Sequence, residues 1–168
     1  MPPRLILIGP MGCGKTTIGK IVAENLNLPF RDTDLLIEEE EKKSVSEIFL
    51  EDGEEKFRLL EKSVLRKELL SDETVLALGG GAPISMDAQS ALRAIASPVV
   101  YLQISLANVA PRIGFNRDRP LLLHNPRGQW ETLMQERRPI YEAIADTVID
   151  VNGKEPDVIA SEVLEFLT

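Results

Sequence analysis

Hydrophobic positions along the chain follow two alternating patterns. Short apolar runs at residues 4 to 8, 74 to 78, 98 to 104 and 147 to 151 have the length and content of buried strands. A weaker run, Pro29-Phe-Arg31, ends at Asp32-Thr33-Asp34 and is read as the second strand in chain order. Between these runs apolar residues recur at helical spacing. Ile18, Ile21, Val22 and Leu26 predict a helix reaching about Asn27, where Leu28-Pro29 breaks it. Residues 35 to 43 are amphipathic, and their four glutamates, Glu38 to Glu41, read as a solvated face. Ser44 followed by Glu47 forms a capping box for a helix containing Ile48, Phe49 and Leu50. Asp52-Gly53 interrupts it, and a longer helix follows with Phe57, Leu60, Val64, Leu65 and Leu69 inward. Further helices are expected over 86 to 96, capped near Ser85, over 106 to 114 despite Pro111, and over 130 to 145, where Pro139 could kink it. Pro156 suits the first turn of a last helix carrying Val158, Ile159, Val163, Leu164 and Leu167. Strands alternating with helices predict a three-layer α/β/α domain around a five-stranded parallel sheet.

Ligands of such sheets bind beyond the carboxyl ends of the strands. The first such end carries Gly9-Pro-Met-Gly-Cys-Gly-Lys15-Thr16-Thr17, a P-loop pattern with strand before and helix after. Backbone N–H groups of Gly12, Cys13 and Gly14 and the helix start at Lys15, Thr16 and Thr17 are the candidate contacts to the phosphates of a nucleoside triphosphate. Lys15 would reach the β- and γ-phosphates, and the Thr16 hydroxyl would ligate Mg²⁺. The Cys13 side chain is read as incidental.

Composition narrows the class. The chain has 168 residues, enough for one domain with a real core. No apolar run approaches the length of a membrane span. Met1-Pro-Pro-Arg4 leads straight into the first strand, so no signal peptide is expected. A single cysteine fits a reducing, cytoplasmic setting. Net charge is −8, which disfavours a nucleic-acid partner, and a monomer is expected. Against that acidic background, six arginines and three acids lie between Arg112 and Arg138, which points to a phosphate clamp.

Asp32 and Asp34 alternate with Thr33, so in extended backbone they share a face. One can hold Mg²⁺ through water and the other can take the proton of an acceptor hydroxyl, although either could instead cap the next helix. Gly79-Gly80-Gly81 offers bare backbone to a ligand, or only a tight turn. Asn116 to Gly128 is polar, arginine-rich and broken by two prolines, so it reads as a mobile loop, and Arg119 within it is the candidate to neutralise the transferring phosphoryl group. Arg58 and Arg137 suit a substrate carboxylate, with pairing to a neighbouring glutamate as the alternative.

The P-loop, Asp32-Thr-Asp34 followed by Ile37-Glu38, Phe49 through Gly53-Glu54 to Phe57-Arg58, the glycine triplet, Arg119-Pro-Leu-Leu122 and Arg137-Arg-Pro-Ile-Tyr141 together resemble the shikimate kinases over essentially the whole chain. The resemblance implies a nucleoside-monophosphate-kinase-like fold for one domain, residues 1 to 168. Its core would carry the P-loop at 9 to 17, substrate-binding helices would lie at about 33 to 61, and a mobile lid at about 112 to 128. It implies transfer of the ATP γ-phosphoryl group to the 3-hydroxyl of shikimate, toward chorismate and the aromatic amino acids. By position, Lys15 and Arg119 would hold phosphates, Thr16 and Asp32 the Mg²⁺, and Arg112 and Asn152 the adenine side. Asp34 would bind shikimate hydroxyls and act as base, Arg58 and Arg137 would grip the carboxylate, and Gly80 would contact the substrate through its backbone. Arg117 beside Arg119, and Arg138 beside Arg137, depart from the pattern. The alternatives are a related kinase acting on gluconate or a nucleoside monophosphate, and a non-catalytic binding protein of the same family.

Overall fold

The structure, a computed structural model, describes residues 2–113 and 125–168. Five strands form one parallel sheet: β1 (Leu5–Ile8), β2 (Phe30–Asp32), β3 (Val75–Ala77), β4 (Val99–Gln103) and β5 (Thr147–Asp150). Their order is β2-β3-β1-β4-β5, which places β1 at the centre. From β1 the chain builds β2 and β3 on one side, then crosses to β4 and β5 on the other. The P-loop therefore leaves the sheet where the winding reverses, the position at which open α/β sheets bind ligands. Residues of β1, β3 and β4 are almost all fully buried, as expected of strands covered on both faces.

Seven helices occur among the described residues: α1 (Lys15–Leu26), α2 (Thr33–Glu41), α3 (Val45–Leu69), α4 (Met86–Ala94), α5 (Leu106–Ile113), α6 (Pro126–Ile144) and α7 (Pro156–Leu167). α1 packs on α7, and α4 packs between α3 and α6. Ser44 and Ser85 cap α3 and α4, each accepting a backbone N–H three residues on. α3 is broken at Gly53 (φ 86, ψ 165), a backbone conformation that side-chain-bearing residues avoid. α3 packs against α2. Ile37, Ile48, Phe57 and Val64 then form a small core of their own, apart from the main one around the sheet.

Two sequence expectations change. The loop read from Asn116 to Gly128 ends earlier, because α6 begins at Pro126, four residues before the predicted start. Asn125 accepts a hydrogen bond from Gly128 N (3.4 Å) and Pro126 occupies the first helical turn, so a proline read as a breaker is a helix start. Likewise the lid read at 112 to 128 begins inside α5 and ends inside α6. Its middle, including Arg117 and Arg119, lies outside the described residues. Among the described residues, no helix is long and apolar enough to cross a membrane.

Candidate active site

The carboxyl ends of β1, β2 and β3 meet α3 and α6 around one cleft of about 590 Å³. The P-loop forms one wall. Gly9 (φ 150) lies against the sheet so closely that a β-carbon there would sit 2.7 Å from Leu102 O. Gly14 takes a left-handed conformation at the start of α1. The Lys15 ammonium donates to Gly9 O (2.7 Å) and Pro10 O (3.1 Å) and lies 3.7 Å from Cys13 Sγ. The Cys13 side chain is buried and packs in the main core. Outer supports fix the loop: Arg112 Nη1 donates to Gly12 O (2.8 Å) and Trp130 Nε1 to Met11 O (3.1 Å).

Asp32 caps the next helix, the alternative weighed for the aspartate pair, and also meets Thr16. One oxygen caps α2, accepting from Asp34 N (2.9 Å) and Leu35 N (3.3 Å). The other accepts from the Thr16 hydroxyl at 3.0 Å. Two hard oxygen donors side by side, open to the phosphate wall, fit Mg²⁺, which is commonly held by one or two protein oxygens together with substrate phosphates. Among the described residues no cluster of three His, Cys, Asp or Glu side chains could hold a metal alone.

Asp34 lies deeper, in the first turn of α2. Burial pushes its carboxyl up to about 7, the charges of Asp32, Glu61 and Glu38 add to that rise, and Lys15 opposes it. The glycine triplet makes this placement possible. A β-carbon on Gly79 would collide with the Asp34 carboxylate, one on Gly81 with the Arg58 guanidinium, and one on Gly80 would lie 3.2 Å from Arg137 Nη1. Each glycine thus makes room for one charged side chain, a reason tied to neither the turn nor the ligand contact expected from sequence.

The two arginines differ. Arg58 donates to Glu61 Oε1 (2.8 Å) and Glu54 Oε2 (3.3 Å), the neighbouring-glutamate pairing weighed as its alternative. Burial opposes its charge, but Glu61 and Glu54 hold it above its ordinary value. Arg137 is only 7% exposed and has no ion-pair partner among the described residues, although Glu61 and the Tyr141 hydroxyl lie near enough to feel its charge. A buried guanidinium that lines a cleft and forms no ion pair among the described residues can receive an anion. Its neighbour Arg138 is exposed and acts on the Tyr101 hydroxyl instead.

Of the sequence candidates, the cleft brings together residues 12–17, Asp32, Asp34, Arg58, Gly80, Arg112 and Arg137. Arg119 lies outside the described residues. Asn152 is not among the lining residues; its side-chain Oδ1 accepts from Ser105 N (3.0 Å) and Ser105 Oγ (3.2 Å), tying the β5 end to the β4 end. Lys154 and Pro156 line that side instead. Two wall residues escaped the sequence reading. Glu38 belongs to the run read as a solvated face, yet it lines the cleft and accepts from Val45 N at 2.8 Å. Glu61 is 4% exposed, and its three-residue spacing from Arg58 was the available signal.

A family model described as shikimate kinase matches residues 11–168. A shikimate kinase of Salinispora arenicola is 42% identical over 99% of this chain and 99% of its own. One from Streptomyces coelicolor is 42% identical over 97% of this chain and 94% of its own. The solved structure of a shikimate kinase from Acinetobacter baumannii in complex with shikimate matches with a TM-score of 0.90 at 33% identity, covering 99% of this chain and 93% of that one.

Proposed function

Since the chain belongs to the shikimate kinase family, we infer that it transfers the γ-phosphoryl group of ATP to the 3-hydroxyl of shikimate, giving shikimate 3-phosphate and ADP. The observation that carries this reading is the composition of the cleft. A P-loop, a carboxyl poised near neutrality and a buried arginine with no ion-pair partner among the described residues share one space.

The phosphate chain would lie on residues 12–17, with Lys15 leaving its loop carbonyls to reach the β- and γ-oxygens. Thr16 and Asp32 would hold Mg²⁺, which when bound offsets the phosphate charge. Arg112 would lie toward the base of the nucleotide. Arg119 is proposed, from its sequence position, to neutralise the phosphoryl group in transfer. On the acceptor side, Arg137 and Arg58 would grip the carboxylate, and the Gly80 backbone would meet the substrate. Asp34 would orient the 3-hydroxyl and accept its proton as the O–P bond forms. The site thus works through positioning and charge, with little covalent chemistry of its own.

Loss of either arginine is expected to raise the KM for shikimate by about 10–100-fold, the scale of one charged hydrogen-bonding group, and to leave the KM for ATP nearly unchanged. Arg137→Ala should have the larger effect, because Arg58 already spends its donors on Glu61 and Glu54. Unchanged shikimate KM in both variants would refute the carboxylate assignment. The reaction itself is tested by ADP release with ATP and Mg²⁺, comparing shikimate, gluconate, AMP and no acceptor. Release that requires shikimate is the expected result; turnover only with gluconate or AMP would mean a different acceptor pocket.

A further inference from the structure

We propose that Thr33 and Tyr141 are positioning residues for the acceptor, because their hydroxyls clamp the glycine strap that would hold it. The inference rests on the assignment of the Asp34–Arg58–Arg137 side of the cleft to shikimate.

The hydrogen bonds of the strap are unevenly distributed. Gly79 N donates to Thr33 Oγ1 at 2.9 Å, and both groups are buried. Gly80 O accepts from the Tyr141 hydroxyl at 2.6 Å. Gly79 O accepts from Ala82 N (3.0 Å) and Gly81 O from Ile84 N (3.3 Å). That leaves Gly80 N–H and Gly81 N–H, which meet no acceptor among the described residues and border the cleft. Both glycines are half-buried on the cleft wall, so these two adjacent donors are open to whatever fills the cleft, and beside Arg137, which has no ion-pair partner among the described residues, they suit an anionic or hydroxylated ligand.

Three glycines in succession cannot hold such a geometry by themselves, since nothing in their own side chains restricts φ and ψ. The restriction comes from outside. Thr33 is fully buried between the two site carboxylates, so its bond to Gly79 joins the backbone that carries Asp32 and Asp34 to the residue whose missing side chain admits Asp34. Tyr141 lies one helical turn beyond Arg137 on α6, which puts the arginine and the phenol on one face. Its ring is fully buried against Tyr101, with centroids 5.1 Å apart. Burial raises the Tyr141 hydroxyl above its ordinary value, so it remains a donor throughout the neutral range. One face of α6 therefore supplies both the charge for the acceptor and the clamp on the strap facing it.

The test compares Tyr141→Phe, Thr33→Val, Thr33→Ser and Arg137→Ala with the unaltered chain in the same ADP-release assay, measuring the KM for each substrate. Tyr141→Phe keeps the ring on Tyr101 and removes the hydroxyl that bonds Gly80 O and lies beside Arg137; Thr33→Val keeps the shape and leaves the Gly79 N–H without an acceptor. Each is expected to raise the shikimate KM by about tenfold and to leave the ATP KM within about twofold, as the loss of one buried hydrogen bond on the acceptor side would. Thr33→Ser should recover most of the affinity lost in Thr33→Val, which a purely packing role for Thr33 would not produce. Should Thr33→Val fail to fold, Tyr141→Phe decides alone. A shikimate KM that stays within about twofold, or an equal rise in both KM values, would overturn the inference, since lost hydrogen bonds that position nothing loosen the fold without selecting a substrate. If Arg137→Ala also leaves the shikimate KM unmoved, the acceptor assignment itself falls. If Arg137→Ala raises it and Tyr141→Phe does not, only the positioning role falls.

Discussion

A Lys15→Met variant is expected to lose at least about 10³-fold in kcat, the scale on which removal of one preorganised charged or hydrogen-bonding group lowers an enzyme's turnover. Methionine keeps an unbranched apolar stem of similar length, so the substitution removes the charge while largely preserving the packing. Lys15 is the one ammonium held within the loop, 2.7 Å from Gly9 O and 3.1 Å from Pro10 O, at the start of α1 where the phosphates would lie. Its loss removes a cation where negative charge collects in the transition state. It also removes a nearby charge that lowers the Asp34 carboxyl, so Asp34 should titrate higher still in this variant. Shikimate affinity should be retained, because Arg58 and Arg137 are untouched. The measurement is kcat at saturating ATP and shikimate, with circular dichroism to confirm folding and calorimetry for shikimate binding. A loss smaller than about tenfold in kcat would show that the loop backbone, not Lys15, dominates transition-state stabilisation.

What the sequence made legible was whatever depends on local chemistry. The P-loop could be read because each of its positions demands a particular atom or its absence, as the 2.7 Å approach to Leu102 O demands at Gly9. Strand runs, the Ser44 and Ser85 caps and the break at Gly53 likewise follow from neighbours in the chain. The remainder depends on partners distant in sequence. Nothing near Gly79, Gly80 and Gly81 announces that Asp34, Arg137 and Arg58 will fill the space above them. Glu38 looks like one of four equivalent glutamates until the fold turns it toward the cleft. Arg137 and Arg138 are adjacent and chemically identical, and only the phase of α6 makes the first buried and the second exposed. Asn125-Pro126 shows the opposite error, where a purely local signal was present and was read as a loop rather than as a cap and a first turn.

An Asp34→Asn variant is expected to be more stable than the unaltered chain and about 10²–10⁴-fold less active, the usual contribution of a positioned general base. Both effects have one cause. The carboxyl is pushed up to about 7 by burial and by Asp32 and Glu61, so its charged form is costly in this environment. Between its ordinary value of 3.8 and about 7, the folded chain retains a proton that the unfolded chain has released. Folding therefore loses stability as pH rises through that window, and the penalty is constant above it. Asparagine carries no such penalty, so the Tm advantage of the variant should be small near pH 4, grow toward pH 7 and then level off. Activity runs the other way. Only the deprotonated carboxylate can accept the hydroxyl proton, so kcat/KM for shikimate in the unaltered chain should fall as pH drops below about 7, on a limb missing from the residual activity of the variant. Thermal melts across this range, set beside the two pH–rate profiles, separate the possibilities. A limb near 7 that persists in Asp34→Asn would assign the titration to another group. A Tm difference independent of pH would mean that the substitution acts through packing alone. If both expectations hold, the strained carboxyl is the source of the activity: the α2 turn and the Gly79 gap keep Asp34 where its charge is costly, and taking up the acceptor's proton relieves that cost as the phosphoryl group moves.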